Sequence, residues 1–157
     1  DVSSQAQLNM IKDIIFYPKI GSRGVGLGRM NNHGSNFKNY LKKIDKNLVF
    51  LPMIEKEIEL KEIEQIYKDK EVDGCLIGPY DLSMSIGKPG DFYNSQFKKI
   101  ENFILKMKKK YKKVAGLHFM DHDFKKFSFI KKKGFNFLPV LTDVQFFRRG
   151  INFNIKK

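Results

Sequence analysis

Cysteine is almost missing from this chain: Cys75 is alone among 157 residues. No internal disulfide can form, so a packed core must hold the fold, and a reducing, cytoplasmic setting is expected. Tryptophan is absent. No apolar run approaches the roughly 18 residues of a membrane span, and no basic-then-apolar leader opens the chain, so no membrane partner is expected. Acidic residues are scarce beside basic ones, 17 against 30, for a formal net charge of +13. The lysines recur inside KNYLKKIDKN, FILKMKKKYKK and FIKKKG, among Ile, Leu and Phe at helical spacing. That pattern puts lysine stems beside apolar stripes, on the solvent faces of amphipathic helices. Zinc-finger spacing and aromatic RNP motifs are both missing, so nucleic acid is not the expected partner. A basic polyanion-binding protein stands as a third reading, with salt-sensitive, metal-independent affinity as its signature.

What the chain does have is apolar substance. Hydrophobic residues make up 41% of it and Phe occurs 15 times, enough for one domain with a real core. VSSQAQLNMIKDIIFYP reads as a helix capped by Ser3 or Ser4, with Leu8, Ile11, Ile14 and Ile15 on its apolar face and Pro18 as its stop. KIGSRGVGLGRM is a glycine-rich loop. Its glycines lack the strand-loop-helix context and downstream acid of a dinucleotide fingerprint. SNFKNYLKKIDKN is a second helix, with Phe37, Tyr40, Leu41 and Ile44 on one face.

From there strand and helix patterns alternate. LVFLPMI is a continuous apolar run of the kind buried on both faces, and it ends on Glu55. ELKEIEQIYKD is a helix; VDGCLIGP is a strand ending on Asp81. SQFKKIENFILKMKKKYKK is a long amphipathic helix, and VAGLHFM a strand ending near His118. DFKKFSFIKKKG is a helix with Gly134 just past its end, FNFLPVLTD a last strand and VQFFRRGINF a last helix. Four apolar strands joined through helices predict an α/β fold with a parallel sheet.

Glu55 and Asp81 both fall at strand C-termini, the edge where α/β folds bind ligands. They are 26 positions apart, yet neighbouring strands would bring them together. Two close carboxylates repel, and a hard divalent cation resolves that conflict. Such a cation can act as a Lewis acid on a keto oxygen. Plainer roles stand beside this one. Asp81 could cap a helix beginning near Leu82, and Glu55 could pair with Lys56 or lie in the first turn of the next helix.

GCLIGPYDLSMSIGKPGD, preceded by LVFLPMIE and followed by VAGLHF, closely resembles the class II, metal-dependent pyruvate aldolases that cleave 4-hydroxy-2-oxoheptanedioate and 2-keto-3-deoxy sugar acids. FYPKIGSRGVGLGRM resembles that family's YPP-G-RGVG segment, and FNFLPVLTDVQFF its last strand. The resemblance runs from about Val2 to Phe147. It implies a (β/α)₈ TIM barrel, of which residues 1–157 would be the C-terminal portion, roughly the last four strands with their helices. It implies Glu55 and Asp81 as ligands of Mg²⁺, Mn²⁺ or Co²⁺, and the backbone amides of Tyr80 and Asp81, aimed by Gly78-Pro79, as receivers of a pyruvate carboxylate. Met53, where many members carry Gln, and His118 would line the substrate pocket. It further implies cleavage of a 4-hydroxy-2-oxo acid to pyruvate and an aldehyde, in a homo-oligomer of three or six chains.

The family's catalytic His and enolate-stabilising Arg match no position here, because they lie on earlier strands. A whole barrel needs about 250 residues, so the chain is some 100 short. It is expected to be a fragment or a truncated gene product, with an inactive metal-binding or assembly remnant as the alternative. His118 also reads as a hydrogen-bonded rim histidine. His33 and His122 read as surface residues, Arg23 as a partner in a structural salt bridge, and Cys75 as a small buried apolar side chain.

Overall fold

The computed structural model describes residues 1–155. Three parallel strands lie in the order β1-β2-β3: β1 (Met53–Ile54), β2 (Gly74–Ile77) and β3 (Val114–Leu117). Met53 is in register with Leu76, and Cys75 with Ala115. Helices α1 (Gln5–Ile15) and α2 (Phe37–Asn47) precede the sheet. α3 (Leu60–Lys68) joins β1 to β2. α4 (Pro79–Ser85) and α5 (Ser95–Tyr111) join β2 to β3, and α6 (Phe124–Lys133) and α7 (Asp143–Ile155) follow. The α/β alternation expected from the sequence is therefore present.

The helices begin where the capping chemistry indicates. Ser4, not Ser3, caps α1, its hydroxyl accepting the Gln7 N–H. The Asn94 side chain accepts the Gln96 and Phe97 N–H groups, and Asp123 accepts that of Lys125. Leu8 is fully buried and Ile11 and Ile15 partly so, but Ile14 is exposed, so the apolar face of α1 is narrower than its spacing suggested. α1 also ends at Ile15, three residues ahead of Pro18. α2 carries no fully buried residue, and Leu41 on its expected face is exposed.

Two strands are shorter than the apolar runs that encode them. In LVFLPMI only Met53 and Ile54 join the ladder. Pro52 accepts the Leu76 N–H but has no N–H of its own to return, so regular pairing stops there. Val49 lies exposed, which corrects the expectation of a strand buried throughout. The fourth strand is reduced further. FNFLPVLTD runs parallel to β3 and the residues after it but pairs as isolated bridges, Gly116 to Phe137 and Phe119 to Val140, rather than as a ladder. The Pro139 carbonyl accepts the Phe119 N–H at 2.7 Å, and its ring nitrogen again offers no donor. Among the described residues the sheet thus has three strands rather than four.

α3 and α5 pack on each other and on β2 and β3. α3 contributes Ile63, Ile66 and Tyr67; α5 contributes Phe97, Ile100, Ile104 and Met107; the strands contribute Ile54, Cys75, Ile77 and Ala115. Gly74 is required where β2 meets β3. Its φ is +156°, and a Cβ there would lie 2.1 Å from the Val114 carbonyl oxygen. At the base of the fold Lys12 bridges Asp69 at 2.8 Å and Glu71 at 2.9 Å, tying α1 to the end of α3.

α2, α3 and α5 lead into β1, β2 and β3, so these helix C-termini and the strand N-termini share one edge of the molecule. Lys46, Lys68, Lys108, Lys109, Lys110, Lys131, Lys132 and Lys133 occupy the last turns of α2, α3, α5 and α6. The segments leaving the strands carry acids instead, including Glu55, Glu57, Asp81, Asp121 and Asp123. Both placements complement the helix dipole.

Candidate metal and substrate site

Glu55, Gly78 and His118 are the first residues beyond β1, β2 and β3. Parallel pairing carries this alignment past the ladder. The Gly78 N–H donates to the Ile54 carbonyl, and the His118 N–H to that of Ile77, each at 3.1 Å. The three positions therefore form a row along the C-terminal edge of the sheet. Glu55 leans over the middle of the row. A Cβ built on Gly78 would stand 2.7 Å from Glu55 Cγ and 2.8 Å from its Oε1, so the missing side chain at Gly78 is what seats the carboxylate.

Pro79 follows as the first residue of α4, where proline's fixed φ and absent N–H cost nothing. The first backbone bond closing the helix runs from the Leu82 N–H to the Gly78 carbonyl. The Tyr80 and Asp81 N–H groups precede it and carry no hydrogen bond among the described residues. Asp81 does not end the strand, as the sequence pattern suggested. It sits in the first turn of α4, exposed, and Gly78 holds the cap position that Asp81 was offered as an alternative. Ser83 locks the far side of the turn. Its buried hydroxyl donates to the Tyr80 carbonyl at 2.7 Å and accepts the Gly90 N–H at 2.9 Å.

Neither acid is committed elsewhere. Lys56 pairs with Asp1 at 2.9 Å, not with Glu55, and α3 begins five residues after Glu55. Among the described residues the Glu55 and Asp81 carboxylates make no hydrogen bond and no ion pair. Unpaired carboxylate oxygens are the donors a hard divalent cation takes, and Mg²⁺ commonly takes only one or two protein carboxylates. The residues present fit such an ion. Among the described residues no group of three or more His, Cys, Asp or Glu side chains stands ready to hold a metal, so water or substrate would complete the shell.

The remaining expected residues are near but differently engaged. Met53 is half-buried in β1, and its carbonyl accepts the Val2 N–H at 2.8 Å. The Tyr80 ring is half-exposed and meets the edge of Phe92 with centroids 5.1 Å apart. His118 is half-buried, its Nε2 3.2 Å from the Leu141 carbonyl oxygen. A carbonyl only accepts, so Nε2 carries the proton, and the rim-histidine role is the one its contacts display. Arg23 forms no ion pair among the described residues. Its guanidinium lies 5.0 Å from the Tyr17 ring centroid and donates to the Ile15 carbonyl, which corrects the expected salt bridge. His33 and His122 are exposed as expected. Two residues that shape the site carried no readable signal: Ser83, hidden among the small hydroxyls of DLSMS, and Phe92, alone in a loop.

The sequence model of the HpcH/HpaI aldolase/citrate lyase family matches residues 1–149. This chain belongs to that family. It is 36% identical over 92 residues to a 2-keto-3-deoxy-L-rhamnonate aldolase of Klebsiella pneumoniae, a match covering 57% of this chain and 34% of that enzyme. It is 30% identical over 101 residues to the enzyme of the same name from Salmonella paratyphi B, covering 63% and 38%. The family relationship extends to structure. An HpcH/HpaI aldolase from Desulfitobacterium hafniense superposes with a TM-score of 0.82 at 20% identity, covering 99% of this chain and 60% of that one. The citrate synthase SbnG superposes at 0.78 and 16% identity, covering 99% and 59%. These structures establish the α/β fold, and the chain spans less than two thirds of each of these four proteins.

Proposed function

We propose that this chain is the C-terminal portion of a (β/α)₈ aldolase and carries its metal and pyruvate site. The reaction is reversible cleavage of a 4-hydroxy-2-oxo acid to pyruvate and an aldehyde. One observation carries the reading: Glu55, just past β1 and seated on Gly78, and Asp81, in the first turn of the helix that follows β2, are both unpaired among the described residues. Glu55 and Asp81 would hold Mg²⁺, Mn²⁺ or Co²⁺, which supplies Lewis acidity toward a keto oxygen. The Tyr80 and Asp81 N–H groups, fixed by the Pro79 turn and by Ser83, orient the pyruvate carboxylate; oriented amide pairs of this kind stabilise anions. Met53 and His118 border the space beside it. Family resemblance puts the acid/base His and the Arg outside these residues, so turnover requires groups this chain does not supply.

Calorimetry with Mn²⁺ and pyruvate tests the site itself. The protein should bind pyruvate only with metal present, and a Glu55→Gln/Asp81→Asn variant of unchanged circular dichroism should bind neither. Metal-independent pyruvate binding, or binding kept in the variant, would sink the assignment.

A further inference from the structure

We propose that His118 selects the distal arm of the substrate. Its Nδ1 accepts a hydrogen bond from a hydroxyl beyond C4, so the acid cleaved here carries a neutral, hydroxylated arm and not a second carboxylate. This inference rests on the aldolase reading above and names the substrate class within it.

The imidazole is held in one tautomer. His118 is the first residue beyond β3, and its Nε2 donates to the Leu141 carbonyl at 3.2 Å. Leu141 is itself in an unusual conformation. Its φ is +51°, in the left-handed region that leucine rarely enters, and its N–H donates to the Phe119 carbonyl at 2.9 Å. A backbone carbonyl on one ring nitrogen decides which of the two carries the proton, and in the neutral ring the other is an acceptor. Nδ1 makes no hydrogen bond among the described residues. No buried side-chain nitrogen or oxygen among them lacks a partner, so Nδ1 is open to solvent and to a ligand.

His118 lines a cavity of about 330 Å³ between α5 and α6, within the size range of small-ligand sites. Pro79 and Tyr80 line it too, so the cavity continues the candidate site. Phe92, Phe97, Phe119 and Phe129 give it apolar walls. The charged side chains along it pair off, Lys98 with Glu101 at 2.9 Å and Lys126 with Asp121 at 2.6 Å. A carboxylate on the arm would therefore meet no spare cation, and the lone pair on Nδ1 would repel it. A hydroxyl can donate to Nδ1 while the carbons that bear it rest against the phenylalanines.

Calorimetry on the Mn²⁺-loaded chain tests this with three oxamates, which share the carboxylate-and-carbonyl head of a 2-oxo acid but cannot be cleaved. N-(2-hydroxyethyl)oxamate should bind about fivefold more tightly than N-propyloxamate, the yield of one net hydrogen bond, and N-(carboxymethyl)oxamate should bind most weakly. In His118→Leu the hydroxyethyl-to-propyl ratio should fall to about one. In His118→Asn, which sets an amide oxygen about where Nδ1 lies, much of the ratio should return. The ratio is read within each protein, so a general weakening cancels. Equal binding of the hydroxyethyl and propyl compounds by the unaltered chain overturns the inference, as does tightest binding of the carboxymethyl compound. So does a ratio that survives in His118→Leu, or one lost equally in both variants. If pyruvate binds with Mn²⁺ and no hydroxyl preference is seen, this inference alone falls; if pyruvate does not bind with Mn²⁺, the aldolase reading falls with it.

Discussion

Gly78 separates a structural from a functional reading of the acids beside it. Its φ is ordinary, so alanine would meet no backbone strain, only the Glu55 side chain 2.7 Å away. Gly78→Ala should displace Glu55 at a cost of about 1–3 kcal/mol and weaken Mn²⁺ binding. Urea denaturation and calorimetry on one sample would measure both, and unchanged Mn²⁺ affinity would show that the Glu55 seat is irrelevant to the metal. Single residues were legible where their chemistry is local. Ser4 caps, Gly134 follows α6 at positive φ, and Cys75 is fully buried, with its thiol pushed up to about 12 by that burial. Arg23 was not legible, because a choice between a carboxylate and the Tyr17 ring depends on which surface the glycine loop reaches.

Among elements, the link between α1 and α3 has the clearest pH signature. Burial pushes the Asp69 carboxyl up, but the Lys12 ammonium and the Glu71 N–H outweigh it and hold it below the usual carboxylate value. Burial pushes Lys12 down, and Asp69 and Glu71 outweigh that to hold it above its usual value. Asp69 therefore contributes fully above its unfolded value, and the contribution is lost as pH falls through the lowered folded one. Lys12 contributes fully below its unfolded value and loses that contribution as pH rises through the raised folded one. Stability should stay level through neutrality and fall below about pH 4 and above about pH 10. Lys12→Met leaves two carboxylates facing each other and should cost about 2–3 kcal/mol at pH 7, with a shallower acid limb. Denaturation curves at pH 3 to 8 would check this; an acid limb as steep as before would assign it to other carboxylates. Helices were readable from apolar spacing because α3 and α5 bury one stripe each. Strand lengths were not, since an apolar run records burial while a ladder also needs donors, which Pro52 and Pro139 withhold.

For the whole molecule, the alternation of strand and helix was legible because each run is long and apolar enough to declare its period. That Glu55 and the Asp81 turn both follow strand C-termini was legible only as a consequence of parallel order. The aromatic cavity was invisible, since Phe92, Phe97, Phe119 and Phe129 meet only after α5 and α6 dock. α7 leaves Val144, Phe146, Phe147 and Ile151 exposed, an apolar surface unusual for a monomer. Self-association is expected: sedimentation velocity at micromolar concentration should show species larger than the 18.4 kDa chain, and a lone monomer throughout would remove the expectation.

The lysines at the helix ends and the acids beyond the strands give the molecule two electrically unlike poles. On an anionic bead or film it would settle on its lysine pole, leaving the Glu55–Asp81 edge turned toward the liquid. A cationic matrix would repel the chain as a whole, since its formal net charge is +13. The choice of support would therefore fix the molecule's posture without any engineered tether.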